Sequence, residues 1–346
     1  MKKLKAVCIL FVLLTVLTSS VLAAGGGGQA GQQRTTRINV TQTNNEQSVW
    51  HHATVAFADY LNKNSNGRYD AHVFPNASLS QGNYTIMMEQ LQSGAVQVAV
   101  ESLTVIAAYN QKPGILQLPF IFEDVEHVLR FVQLNDPTWQ GWLKEFENSN
   151  FVILGGSPRP MRQLNNNQRV IRTVADMQGM RFRVPVNPFF VSIFETLGAV
   201  AVPAPSSEIY TGIQLGTFNG EDNSIQTQFD FRTFEVAKFF TVANYIADLS
   251  FIYINRDFYY GLSEDDRQLF RRAAQEFVRV DMAQNQTYLQ TALDGGRRLN
   301  VEFWTMPEAN KRLFQERLTP FLTEFRRNYT QAEWDAFQAA VRRSAP

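Results

Sequence analysis

Four arginines, Arg159, Arg162, Arg181 and Arg183, fall close together in this 346-residue chain, near two segments with a strand-like pattern. An arginine at a strand end can offer its planar fork to a carboxylate as a bidentate, charge-assisted pair. If residues 180–184 are extended, Arg181 and Arg183 share one face and Phe182 takes the other. Arginines serve equally as solvated surface charges or as members of structural ion pairs, and residue type alone leaves both open. The usual catalytic constellations are missing: there is no G-x-S-x-G nucleophile elbow, H-E-x-x-H zinc motif, Walker A loop or EF-hand loop. The four histidines form no ligand-spaced set, since His51 and His52 are adjacent and would point to different faces of a helix, while His72 and His127 stand alone. The chemistry within reach is recognition of an anion, with no catalytic residue, metal or other cofactor expected.

The N-terminus bears on where that recognition takes place. Lys2, Lys3 and Lys5 precede an apolar run at residues 6–17, and small residues lead into Val21-Leu22-Ala23-Ala24. That order is a secretory signal peptide with cleavage near Ala23/Ala24. An uncleaved anchor is the other reading, because residues 6–24 approach spanning length; the glycines from Gly25 to Gly28 favour cleavage. Cys8, the single cysteine, lies in this segment, so the exported chain would have neither disulfides nor a cysteine nucleophile. Residues 25–36 read as a flexible tether, and their literal G-x-G-x-x-G (Gly26, Gly28, Gly31) lacks the flanking strand and helix that give the motif meaning. Removing the three lysines from 32 basic residues leaves 29 against 32 acidic, a net of −3, with no basic strip. Nucleic acid and anionic membrane surfaces are therefore not expected partners.

The elements that must position the arginines alternate. Strand patterns at residues 37–42, 69–74 and 96–100 flank helical patterns at 49–61 and 84–91, the rhythm of a layered α/β protein with a largely parallel sheet. Strands at 151–154 and 180–184 and helices at 187–197 and 207–215 suggest a second unit, and a strand at 246–254 returns to the first. Ser263 with Asp266 starts a helix whose periodicity persists to about Leu289, long enough to run along both units. Pro320 after Thr319, and Thr330 with Glu333, read as starts of two C-terminal helices.

The run Ala175-Asp176-Met177-Gln178-Gly179-Met180-Arg181-Phe182-Arg183-Val184-Pro185 resembles the A-D-M-x-G-x-x-x-R-V-P signature of TRAP-transporter (tripartite ATP-independent periplasmic) substrate-binding proteins, the DctP-like family. Leu197-Gly198-Ala199, Pro203, Ser207-Glu208-Ile209-Tyr210, Gln214, Gly216 and Gly220-Glu221-Asp222-Asn223 follow at family spacing. Gln90-Leu91, Ser93-Gly94 and Leu118-Pro119-Phe120 fit upstream, so the resemblance runs from about Arg37 onward. It implies an α/β, two-domain periplasmic-binding-protein fold, with a ligand cleft between domains and a long domain-spanning helix. The expected division is residues 37–158 with 249–288, and 159–248 with 289–346.

The resemblance also implies roles. Arg183 matches the arginine that pairs with a ligand carboxylate, Arg162 a second arginine facing the same anion, and Asn223 a polar ligand contact. Glu101 falls where relatives place a polar cleft residue, and Trp50 could stack on a ligand or pack inward. Three departures stand out: Asp222 replaces the G-x-E-N glutamate, Ser224 the following proline, and Ser206 the aromatic that sialate binders carry before S-E-x-Y. Glu101, Gln163, Ser206, Asn223 and Gln226 favour a hydroxylated acid such as a hexuronate, with C4-dicarboxylates and keto or hydroxy acids as alternatives. The implied protein is a monomeric, periplasmic binder that is not an enzyme and hands a small organic acid to TRAP permease subunits. An exported hydrolase or lyase acting on an acidic substrate is the competing class.

Overall fold

The computed structural model describes residues 35–107 and 109–346. The expected signal peptide, Cys8 and the glycine motif at Gly26 to Gly31 lie outside the described residues. Among the described residues nine strands follow in chain order: β1 (Thr36–Gln42), β2 (Tyr69–Phe74), β3 (Val98–Ser102), β4 (Phe151–Asn166), β5 (Arg181–Val184), β6 (Val200–Pro203), β7 (Gly220–Ser224), β8 (Phe239–Asn255) and β9 (Glu302–Thr305). They form one sheet in the order β2-β1-β3-β8-β4-β7-β5-β6, with β9 paired to β8 off this path.

The pairings decide the architecture. β1 is parallel to β2 and β3, and β5 is parallel to β6 and β7. β8 is antiparallel to β3 and β4, and β4 is antiparallel to β7. The largely parallel sheet expected from sequence is thus found in each flank but not at the centre. The reversals make the two parallel flanks run in opposite senses. β3 pairs with residues 250–254 of β8, whereas β7 pairs with residues 162–166 of β4. Between those attachments β4 and β8 run as a bare two-stranded ribbon, with Arg159 opposite Asp248 at its middle. The C-terminal ends of β3 and β7 face each other across this gap.

Among the described residues twelve α-helices surround the sheet: α1 (Val49–Asn64), α2 (Tyr84–Ser93), α3 (Leu103–Ile106), α4 (Val125–Gln133), α5 (Pro137–Lys144), α6 (Pro188–Thr196), α7 (Ile209–Gln214), α8 (Ile225–Asp230), α9 (Arg256–Gly261), α10 (Glu264–Arg298), α11 (Glu308–Phe325) and α12 (Gln331–Ser344). α10 has 35 residues, roughly 52 Å of helix at 1.5 Å per residue. Ser263 caps it, accepting from the Asp266 N–H; three acidic residues sit in its first turn and Arg297 and Arg298 in its last, all favourable to the helix dipole. Its first half packs Phe270, Ala273 and Phe277 against Phe57 and Leu61 of α1, and its second half reaches α8. It therefore lies along both flanks.

Three details differ from the sequence reading. α10 continues nine residues past Leu289, because its late buried positions are Ala292, Gly295 and Gly296, too small to register as an apolar stripe. Pro320 lies inside α11 and does not start it. Both Pro320 and Glu316, whose carbonyl loses its usual N–H donor, are exposed, so water can satisfy that carbonyl. The sequence groups residues 289–346 with the second unit, yet α12 packs on α4 and α5 of the first, where His127 Nε2 meets the Val341 carbonyl at 3.0 Å and Arg343 pairs with Asp136 at 2.7 Å.

Candidate functional site

The bare ribbon floors a cavity of about 50 Å³. The ends of the parallel strands supply its walls, the place where α/β sheets present ligands with polar groups. Glu101 and Ser102 come from the end of β3, Arg183 and Pro185 from the end of β5, and Asn223 from the end of β7. The ribbon contributes Arg159, Arg162 and Asp248, and α1 contributes Trp50. Six of the eight candidate ligand contacts named from sequence meet here: Trp50, Glu101, Arg162, Arg183, Ser206 and Asn223; Gln163 does not, its amide being spent on the Met161 carbonyl, Asn244 and the backbone of residues 243–244. Nor does Gln226. It is buried on α8 with its Nε2 donating to the backbone and side-chain oxygens of Asn285 on α10, at 3.0 and 3.1 Å, which turns it away from the cavity.

The three cavity arginines have different fates. Arg159 pairs through Nη1 with Asp248 at 3.1 Å, donates through Nη2 to Thr227 Oγ1 at 2.9 Å, and lies 4.2 Å from the Trp50 ring centroid. Trp50 therefore packs inward and at the same time supports a cavity wall by a cation–π contact. Arg162 donates through Nε to Asp222 Oδ2 at 2.6 Å and through Nη2 to the Asp222 carbonyl at 2.6 Å. Tyr245 donates to the same carboxylate oxygen at 2.5 Å. Burial works against the Arg162 charge, but the Asp222 carboxylate overrides it and holds the guanidinium above the ordinary arginine value. Asp222, which departs from the family glutamate, is thus the partner of Arg162.

Arg183 is different. It is 3% exposed, and the one hydrogen bond of its side chain among the described residues runs from Nε to the Ala204 carbonyl at 2.8 Å. No carboxylate stands within 4.0 Å of it among the described residues, and burial pushes its pKa below the ordinary value. The result is a desolvated fork with its two terminal nitrogens open to the cavity. Arg181, two residues earlier, is exposed and donates to the Gly216 carbonyl at 2.6 Å.

Two buried carboxyls of this region, Glu101 and Glu221, have no counter-ion within 4.0 Å among the described residues. Glu101 accepts from the Ser102 N–H at 2.7 Å through Oε1 while its buried Oε2 has no partner, and burial pushes its pKa up to about 7. Asn223 donates from Nδ2 to Glu221 at 2.8 Å, leaving its side-chain oxygen Oδ1 free to accept. Tyr84 accepts from the Val186 N–H at 2.9 Å, so its hydroxyl hydrogen remains available to the cavity that it lines. Sequence reasoning missed Tyr84 and Thr227, which no motif marks. Asp248 did carry a signal: it is the lone charge in the apolar run 246–254, and a buried charge demands a partner.

His51 faces Gln42 across 3.4 Å and His52 faces Gln284 at 3.0 Å, so the histidine pair splits as its spacing suggests. Among the described residues no cluster of three or more His, Cys, Asp or Glu could hold a metal ion, and no helix is long and apolar enough to cross a membrane.

Comparison with known proteins places this geometry. Residues 40–328 match the model of bacterial extracellular solute-binding protein family 7, DctP. A solute-binding protein of Verminephrobacter eiseniae is 28% identical over 255 residues, covering 73% of this chain and 74% of that one. The 2,3-diketo-L-gulonate-binding periplasmic protein YiaO of Escherichia coli is 25% identical over 271 residues, covering 78% and 80%. Among solved structures, a TRAP periplasmic solute-binding protein from Roseobacter denitrificans with bound β-D-glucuronate superimposes with TM-score 0.83 at 22% identity, covering 88% of this chain and 99% of that one. The sugar acid binding protein from Advenella mimigardefordensis, in complex with galactonate, gives 0.84 at 20% identity, covering 90% and 99%. With the family match spanning most of the chain and the fold shared throughout, the chain belongs to bacterial extracellular solute-binding protein family 7, the DctP-like binding proteins of TRAP transporters.

Proposed function

We propose that this protein binds a small sugar acid of the hexuronate kind in the ribbon cavity and delivers it, unreacted, to the permease subunits of a TRAP transporter. The observation that carries this reading is Arg183, a buried guanidinium with no carboxylate partner and two nitrogens open to the cavity. A ligand carboxylate supplies the missing counter-charge as a bidentate pair. Arg162 adds positive potential while held by Asp222, and Asn223, Ser206 and the Glu101 carboxyl read hydroxyls around the sugar. Trp50 closes one wall. The unpartnered Glu101 oxygen favours a hydroxyl donor over a second carboxylate, which weighs against dicarboxylates. The glucuronate and galactonate bound by similar structures, and the diketogulonate in the name of the E. coli relative, are acids of this type.

In this reading the ribbon is a hinge and the two flanks close over the ligand. The protein acts as a monomer in the periplasm after cleavage near Ala23/Ala24. The test is a thermal-shift screen of the ligand-free mature protein against D-glucuronate, D-galacturonate, D-galactonate, succinate and glucose. Ligand at a hundred times Kd stabilises by about 2.7 kcal/mol. A shift with the sugar acids, absent with glucose, is expected; folded protein that responds to none of the acids would overturn the assignment.

A further inference from the structure

Behind Arg183 stands a carboxyl with no counter-ion. Glu221 is 0% exposed and is the register partner of Arg183 in the parallel β5–β7 ladder, so both side chains leave the sheet on one face. Its Oε2 accepts the Asn223 amide at 2.8 Å, and its Oε1 accepts nothing. Among the described residues it forms no ion pair within 4.0 Å, because Arg162, the other nearby cation, is held by Asp222. The charged groups around it are Arg183 from β5, Arg162 from β4 and its own neighbour Asp222 on β7. A buried carboxyl in that position either draws on Arg183 as an anion or carries a proton.

The cavity's charges make the choice consequential. Arg159 is matched by Asp248 and Arg162 by Asp222, which leaves Arg183 against Glu101 and Glu221. With both glutamates ionised these three groups sum to a negative charge and repel an anion; with both protonated they sum to a positive one and attract it.

We propose that Glu221 couples anion capture to proton uptake: it competes with the ligand carboxylate for Arg183, and yields that claim by taking a proton when the ligand arrives. This rests on the reading that Arg183 holds the ligand carboxylate. Burial already lifts the Glu221 pKa to about 7, despite the opposing pull of Arg183, so the exchange falls in the neutral range. A bound anion raises that value further, so the complex holds more protons than the free protein. Affinity therefore falls as pH rises through neutrality, by up to about tenfold per pH unit for each proton coupled.

The experiment is calorimetric titration of D-glucuronate into the wild type, Glu221→Gln and Glu101→Gln at pH 6, 7 and 8, in buffers of contrasting ionisation enthalpy. The expected result is proton uptake by the wild type, greatest near pH 8, and less uptake with a flatter pH profile in Glu221→Gln. At pH 8, Glu221→Gln should bind several-fold more tightly than the wild type. Equal uptake and slope in Glu221→Gln and the wild type would overturn the coupling through Glu221. Binding without any proton uptake would overturn the coupling while leaving the Arg183 reading intact; no binding to the wild type would remove both. Should Glu221→Gln fail to fold, ligand-difference infrared spectra of Glu101→Gln decide the matter. A protonated carboxyl band gained on binding supports the coupling, and its absence overturns it.

Discussion

Arg159 and Asp248 are register partners on the two strands that alone cross between the flanks, and their buried side chains pair at 3.1 Å. The same guanidinium reaches Thr227 on α8 and lies over Trp50 on α1, so one side chain touches the ribbon and a helix from either flank. Breaking a buried pair by removing one partner leaves an uncompensated charge and costs about 3–5 kcal/mol. Arg159→Met should therefore lower the urea midpoint by that equivalent, and Arg159→Met with Asp248→Leu should recover much of it. A loss below about 1 kcal/mol in the single variant would show that the pair is not what holds the ribbon.

Arg183 makes a contrasting expectation, because the free protein asks little of it. Arg183→Ala should weaken sugar-acid binding by about 1.5–3 kcal/mol, on the order of 10- to 150-fold, as the ligand carboxylate loses a charged donor. The ligand-free melting temperature should move less, since the side chain gives up one hydrogen bond, to Ala204, and a longer-range attraction to Glu221 that protonation of Glu221 can offset. Arg183→Lys keeps the charge but not the fork, and should recover only part of the affinity. Calorimetry and thermal melts on the same samples separate the two effects.

The buried glutamates set a pH dependence for the ligand-free protein. Glu101 and Glu221 both rise from an ordinary 4.5 to about 7 on folding, with burial as the main cause. The folded state then holds protons that the unfolded chain releases, so their contribution is full below pH 4.5 and is lost as pH rises toward 7. At about 1.4 kcal/mol per unit, the effect is on the order of 3 kcal/mol for each residue. Denaturant midpoints measured across that range should decline in the wild type and decline less steeply in Glu101→Gln, where Glu221 still titrates. An unchanged slope in the variant would mean that Glu101 does not titrate with folding.

Gly295 offers a test of packing against propensity. Alanine normally stabilises a helix interior by nearly 1 kcal/mol relative to glycine. Here an added Cβ would sit 2.1 Å from the Phe229 ring, where α10 meets α8. Gly295→Ala should destabilise by about 1–3 kcal/mol, the usual cost of overpacking. Pairing it with Phe229→Leu should relieve part of that loss, as read by thermal melts.

The same close approach explains part of what sequence reasoning reached and what it did not. The strands and helices of each flank were legible because their apolar spacing is regular, and some helix starts carry clear signals, such as Ser263 with Asp266 at α10 and Thr330 with Glu333 at α12. The ribbon was not. Its segment Gly155-Gly156-Ser157-Pro158-Arg159-Pro160 reads as turn punctuation, yet the ladder accommodates it through register shifts between Ile153 and Gly155 and between Arg159 and Arg162. Gly156 is required there, since a Cβ would fall 2.3 Å from the Phe251 ring. Motif matching led to Arg162, Arg183 and Asn223, which do line the cavity. It could not lead to Glu221, whose meaning comes from being placed beside Arg183 by strand pairing, or show that Gln226 faces Asn285.

The division of labour between the last two helices has a mechanical reading. α11 is anchored to α6 through Phe189, Phe321 and Phe325, while α12 is anchored to α4 and α5. Between them, Tyr329 is pinned by its hydroxyl to the carbonyls of Gln111 and Lys112 at 3.2 and 2.7 Å. The C-terminus is thus a strap fastened at both ends, α11 to one flank and α12 to the other. Under the proposed closure of the flanks this strap has to flex or slide with them, because it is fastened to both.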